Sequence, residues 1–83
     1  MKHIASSKYM VELIRFLNIG RKYTSIKAKF SNIPEPYLLG ALEALVALGV
    51  VRELEIAGEK FYVLSTKGKI ALSYIEQFRG NSV

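Results

Sequence analysis

The chain offers few groups able to make or break covalent bonds. It has no cysteine and no aspartate, its single histidine is His3, and its seven acidic residues are all glutamates. Cysteine nucleophiles, disulfides and zinc–thiolate sites are therefore excluded, and no nucleophile–base pair or metal-ligand cluster is recognisable. An enzyme is not expected, and nothing calls for a cofactor or a small-molecule ligand. The chemistry that remains is ionic: 12 Lys/Arg oppose the seven Glu, for a net charge of +5. These charges fall in blocks. Residues 1–34 carry +6, residues 35–59 carry −4 and residues 60–83 carry +3. That order suits a polyanionic partner if the two basic segments meet in space, and a mixed solvated surface if they do not.

The elements that would position these charges follow from apolar spacing. The 83 residues make one domain, spanning 1–83 with a core over about 8–79. Ser6 or Ser7 is expected to cap a first helix in which Met10, Leu13, Ile14 and Leu17 recur at i, i+3, i+4, i+7, with Gly20 ending it. Residues 1–6 carry little pattern. Arg21, Lys22 and Tyr23 form a basic connector or short strand. Thr24 is expected to cap a second helix over 25–30, with Ile26 and Phe30 inward and Lys27 and Lys29 outward. Asn32, which tolerates a left-handed conformation, and Pro34 mark a turn into a third helix with both Pro34 and Pro36 in its first turn. Two helices so joined make a helix-turn-helix. Leu38, Ala41, Leu42, Leu45 and then Leu48 or Gly49 form one stripe along the third helix, and Gly49 suits its exit. Residues 50–56 and 61–64 read as two strands joined at Gly58. Ser65 caps a last helix expected to bury Ile70, Ala71, Tyr74, Ile75 and Phe78.

The longest apolar run, residues 37–51, is interrupted by Glu43 and falls short of the roughly 20 residues of a membrane span. No membrane association is expected. No apolar segment follows Lys2, so a secretory signal is not supported, and a cytoplasmic, nucleoid-associated location is the expectation.

Leu42, Leu45, Gly49 and Val51, followed by Tyr62, Leu64, Ser65, Lys67 and Gly68, resemble the pattern of MarR-like and PadR-like winged-helix regulators. Those families show L-x-x-L-x-x-x-G-hydrophobic-V before a wing and Y-x-L-[ST]-x-K-G after it. The resemblance covers nearly the whole chain, and the small size looks like the compact regulators of archaea and their viruses or plasmids. It implies an α+β fold, a winged helix-turn-helix with a three-helix core, a two- to three-stranded wing and a C-terminal helix. It also implies a homodimeric transcription regulator that binds double-stranded DNA.

On this reading the third helix enters the major groove, with modest base reading by Ser31, Asn32, Glu35, Tyr37, Leu39, Gly40 and Glu43. Backbone phosphates would be met by Arg21, Lys22, Thr24, Ser25, Lys27, Lys29, Lys60, Lys67 and Lys69. Lys67 is placed where a helix dipole disfavours a cation; a phosphate there would offset this, and plain solvation is the other outcome. The outward face of the third helix holds Pro36, Gly40, Glu43, Ala44 and Ala47, with no Arg or Lys. That favours an alternative in which this uncharged face docks a protein. A two-fold dimer would use helix one or helix four, through flanks such as Tyr9, Phe16, Leu72 or Phe78. If Lys27 and Lys29 act together on phosphates, neutralising both should flatten the salt dependence of DNA binding by about two contacts, measurable by fluorescence anisotropy.

Overall fold

The computed structural model describes residues 2–81, with side-chain surroundings over residues 9–77. Seven elements follow one another: α1 (Lys2–Phe16), β1 (Arg21–Lys22), α2 (Tyr23–Lys29), α3 (Glu35–Ala47), β2 (Val51–Ile56), β3 (Glu59–Leu64) and α4 (Thr66–Asn81). Together they form an α+β domain with four helices and one antiparallel sheet of order β1-β3-β2. The core draws on every helix: Leu13, Ile14 and Leu17 of α1 and its end, Ile26 and Phe30 at α2, Leu38, Leu42 and Leu45 of α3, and Leu72 of α4. Val51, Tyr62 and Leu64 close it from the sheet.

α1 begins earlier than the serine caps implied. No glycine or proline interrupts residues 2–16, so Ser6 and Ser7 lie inside the helix. It also stops before Gly20. The Leu17 amide is shared between the Leu13 and Ile14 carbonyls and Asn18 bonds back to Arg15, a tightened last turn. The Leu17 carbonyl then accepts the Leu64 amide at 2.9 Å, fastening β3 to the end of α1.

Thr24 does not cap α2. Antiparallel pairing of Lys22 with Phe61 holds Lys22 extended (φ −67°, ψ 149°), so the helix starts at the next residue without a side-chain cap. Asn32 keeps a negative φ, since Ala57 is the one non-glycine residue with positive φ among those described. Pro34 serves as the N-cap of α3 instead of lying in its first turn; its carbonyl accepts the Tyr37 and Leu38 amides. α3 leaves through a Schellman motif. Gly49 (φ 78°) donates to Val46 and Val50 donates to Leu45. Leu48 drops out of the buried stripe and is 61% exposed.

Past Val51, every residue of β2 is exposed, so the β2–β3 hairpin projects beyond the core. Its two-residue loop, Ala57 and Gly58, has φ of 53° and 81°, the primed-turn geometry that matches strand twist.

The return strand delivers Ser65 to the exit of α3. The Ser65 amide donates to the Val50 carbonyl (3.0 Å), and its hydroxyl donates to the Gly49 carbonyl with Val50 also in reach at 3.1 Å. That same hydroxyl accepts the Gly68 amide (3.0 Å), the N-cap bond of α4. Gly68 is backed against Val50 so closely that a Cβ there would overlap the Val50 oxygen. This contact sets the rotation of α4. Gly68, Leu72 and Ile75, at i, i+4 and i+7, face inward, so Ile70 and Tyr74 point outward, 55% and 62% exposed, against the sequence expectation. Phe78 lies outside the residues whose side chains are described.

Two variants test this junction by urea denaturation. Ser65→Ala should lose about 1–2 kcal/mol, the value of a helix cap. Gly68→Ala should lose about 1–3 kcal/mol or more, since the added methyl meets backbone and cannot turn aside.

Candidate nucleic-acid interface

The α2–α3 pair leaves the outer face of α3 uncovered. Glu35, Pro36, Tyr37, Gly40, Glu43, Ala44 and Ala47 are all exposed there, Tyr37 by 71%, and Leu39 is half-buried at its border. Ser31 and Asn32 are exposed in the preceding turn. The expected base-reading residues are therefore all accessible on this face and in the turn before it. Glu35 and Tyr37, two residues apart, nonetheless project about 200° apart around the axis, and Glu35 turns back to Tyr23 and Lys27 of α2. Gly40 is the least expected residue of this face. Nothing lies within 4 Å of a Cβ built on it, its φ is not positive, and a glycine in mid-helix costs about 0.5–1 kcal/mol relative to alanine. The fold itself has no need of it.

The expected phosphate-binding residues do not form one surface. Three lysines beside α3 and the hairpin each face a carboxylate: Lys27 at 3.5 Å from Glu35, Lys60 at 3.0 Å from Glu53, and Lys22 at 3.6 Å from Glu59. Thr24 and Ser25 are exposed on α2. Lys27 and Lys29, two residues apart, project about 200° apart around the helix axis. Lys27 turns toward Glu35 while Lys29 lies 5.9 Å from the Phe16 ring, so they do not form a single clamp. Arg21 is half-buried, donates from Nε to the Phe16 carbonyl at 3.1 Å and stacks over the Phe16 ring at 4.3 Å. Lys69 stands on the outer face of α4 beside Ile70 and Tyr74.

Lys67 has a structural partner. Its Nζ donates to the Leu48 carbonyl at 3.1 Å, so the negative end of α3 offsets the penalty of a cation in the first turn of α4. The flanks expected to mediate dimerisation are also engaged. Leu72 is buried, and Tyr9 and Phe16 pack edge-on against Phe30 at 5.9 and 6.0 Å. The Tyr9 hydroxyl donates to the Tyr37 carbonyl, bracing α1 against the start of α3.

Charge on the α3 side is finely poised. Glu35 accepts from the Tyr23 hydroxyl at 2.8 Å, and this bond, followed by the field of Lys27, holds its carboxyl below the usual range. Tyr23 is in turn pushed up to about 12, first by desolvation and then by Glu35. Tyr62 is likewise pushed up to about 12 by desolvation and by Glu53. Glu43 adds its field at Lys60 and Tyr62, placing it beside the hairpin. Sequence reasoning missed two features. Arg15 bonds Glu76 at 2.6 Å, tying α1 to α4 across 61 positions, and Phe16 gathers two cations. No local spacing signals the first.

The chain finds no counterpart among family models, curated proteins or solved structures. Among the described residues no three His, Cys, Asp or Glu are grouped to hold a metal, and no helix is long and apolar enough to cross a membrane.

The Tyr23–Glu35 bond fixes a pH dependence. Glu35, with a lowered value, stabilises the fold above the ordinary carboxyl range near 4.5 and loses this as pH falls through its folded value. Tyr23, with a raised value, stabilises below the ordinary 10.0 and loses this as pH rises through about 12. Tyr23→Phe should remove one late-titrating phenol from the tyrosinate absorbance curve. It should also move the Glu35 carboxyl upward in a carbon-13 NMR titration.

Proposed function

We propose that the chain is a small winged helix-turn-helix protein that binds duplex DNA as a transcription regulator, with α3 laid in the major groove and the β2–β3 hairpin as its wing. The element order and the β1-β3-β2 sheet support this reading. The observation that carries it is the outer face of α3. Gly40, Ala44 and Ala47 keep it shallow, and Gly40 weakens the helix with no return in packing. A surface kept small at a cost in stability is one that something else approaches closely.

The lysines paired to glutamate remain available to phosphates. All three pairs are about half exposed, and such pairs hold together by about 0–1 kcal/mol, so a phosphate can displace the carboxylate. Base reading is modest, because the face offers glutamates and one tyrosine in place of Arg, Asn or Gln.

A second reading, a protein-docking module, is favoured by Tyr37 and Leu48, exposed by 71% and 61% at the two ends of the small-residue strip. Anisotropy of a labelled mixed-sequence duplex, titrated at several salt concentrations, separates the two. Binding that weakens steeply with salt is expected, and no binding at low salt would sink the DNA reading. Gly40→Ala should raise stability by about 0.5–1 kcal/mol while lowering DNA affinity. Higher stability with unchanged affinity would remove the α3 face from the interface.

A further inference from the structure

Two of the cations without a carboxylate partner among the described residues, Arg21 and Lys29, lie together at the junction of α1, β1 and α2. Glu12, Arg15, Phe16, Arg21 and Lys29 line one shallow groove there. The Phe16 ring forms its floor, with the Arg21 guanidinium carbon at 4.3 Å and the Lys29 Nζ at 5.9 Å from the ring centroid. Arg21 spends Nε on the Phe16 carbonyl, and its terminal amino groups have no hydrogen-bond partner among the described residues. A guanidinium anchored through Nε presents those two groups as a fork suited to an oxyanion. Neither Arg21 nor Lys29 has a carboxylate within ion-pairing distance among the described residues.

Charge bookkeeping separates this groove from the α3 side. Among the described residues, Arg15, Arg21 and Lys29 stand here with Glu12 and Glu76, for a net +1. Beside α3 and the hairpin, Lys22, Lys27, Arg52, Lys60 and Lys67 stand with Glu35, Glu43, Glu53, Glu55 and Glu59, for a net of zero among the described residues. A phosphate approaching Lys22, Lys27 or Lys60 must displace a carboxylate, whereas one approaching Phe16 meets two unclaimed cations. We propose that the Phe16 groove is a phosphate-binding site and, resting on the DNA reading above, that it seats a phosphodiester of the duplex backbone. Phe16 sets the spacing, Arg21 supplies the fork, Lys29 supplies a movable charge, and Arg15 is held at the rim by Glu76.

Nitrogen-15 NMR of the full chain titrated with inorganic pyrophosphate tests the site, and DNA anisotropy against salt for wild type, Lys29→Gln and Lys27→Gln tests its occupant. Lys29 is exposed and makes no hydrogen bond, so its removal leaves the fold intact. The expected result is pyrophosphate shifts centred on Phe16, Arg21 and Lys29 that shrink in Lys29→Gln. The salt slope of Lys29→Gln should fall by about 0.9, one phosphate contact, and that of Lys27→Gln by less. Absence of groove-centred shifts would overturn the site. Groove-centred shifts with duplex binding but a wild-type slope in Lys29→Gln would overturn the phosphodiester seat and leave the DNA reading standing. Groove-centred shifts with no duplex binding would uphold the phosphate site and sink the DNA reading.

Discussion

Three successive carbonyls, those of Leu48, Gly49 and Val50, are satisfied by the start of α4: by Lys67 Nζ, by the Ser65 hydroxyl and by the Ser65 amide. Helix ends leave such groups without internal partners, and a buried unpaired carbonyl is costly. One end of α3 and the beginning of α4 are thus a single capped joint. For Ser65 to arrive there, β3 must return in register with β2, which places Val51 opposite Leu64. The two-residue loop at Ala57 and Gly58 secures that register, and Gly68 lets the two backbones close. The hairpin, the rotation of α4 and the exit of α3 all follow from one contact.

The same joint explains how charge is shared out. Lys67 is committed to a helix end, and Lys22, Lys27 and Lys60 stand beside glutamates, so the basic total of the chain overstates what any one face presents. Exposed ion pairs of this kind contribute little to stability and exchange readily. The α3 face is therefore near-neutral and shallow, flanked by charges that can be recruited, while the Phe16 groove holds cations that need no exchange.

Much of the core was legible because it depends on short-range periodicity. Leu38, Leu42 and Leu45, the Gly49 exit and the Ser65 cap were all visible as spacing and residue type, and so was the accessible strip through Gly40. The misreadings share a cause. Thr24 has the chemistry of a cap, but strand pairing at Lys22 decides where α2 begins. Ile70 and Tyr74 carry the apolar signal of α4, but a glycine pressed on a carbonyl decides which way the helix turns. Both are tertiary contacts overriding a local preference. The split between Lys27 and Lys29 was within reach, since two residues on a helix cannot point the same way. The Arg15–Glu76 pair was not, because its partners are joined only by the completed fold.

The projecting hairpin leaves the outer edge of β2 with unpaired backbone groups, the kind of surface through which sheets of neighbouring molecules join. Its sequence guards against this. Two copies meeting edge to edge about a two-fold axis can pair only residues of like parity. Registers centred on residues 53, 54 and 55 then set glutamate against glutamate, and one centred on residue 52 sets arginine against arginine. The alternation of Arg52, Glu53 and Glu55 with Leu54 and Ile56 thus acts as a lock against self-templating, and an arm that reaches out from the body does so without recruiting its own kind.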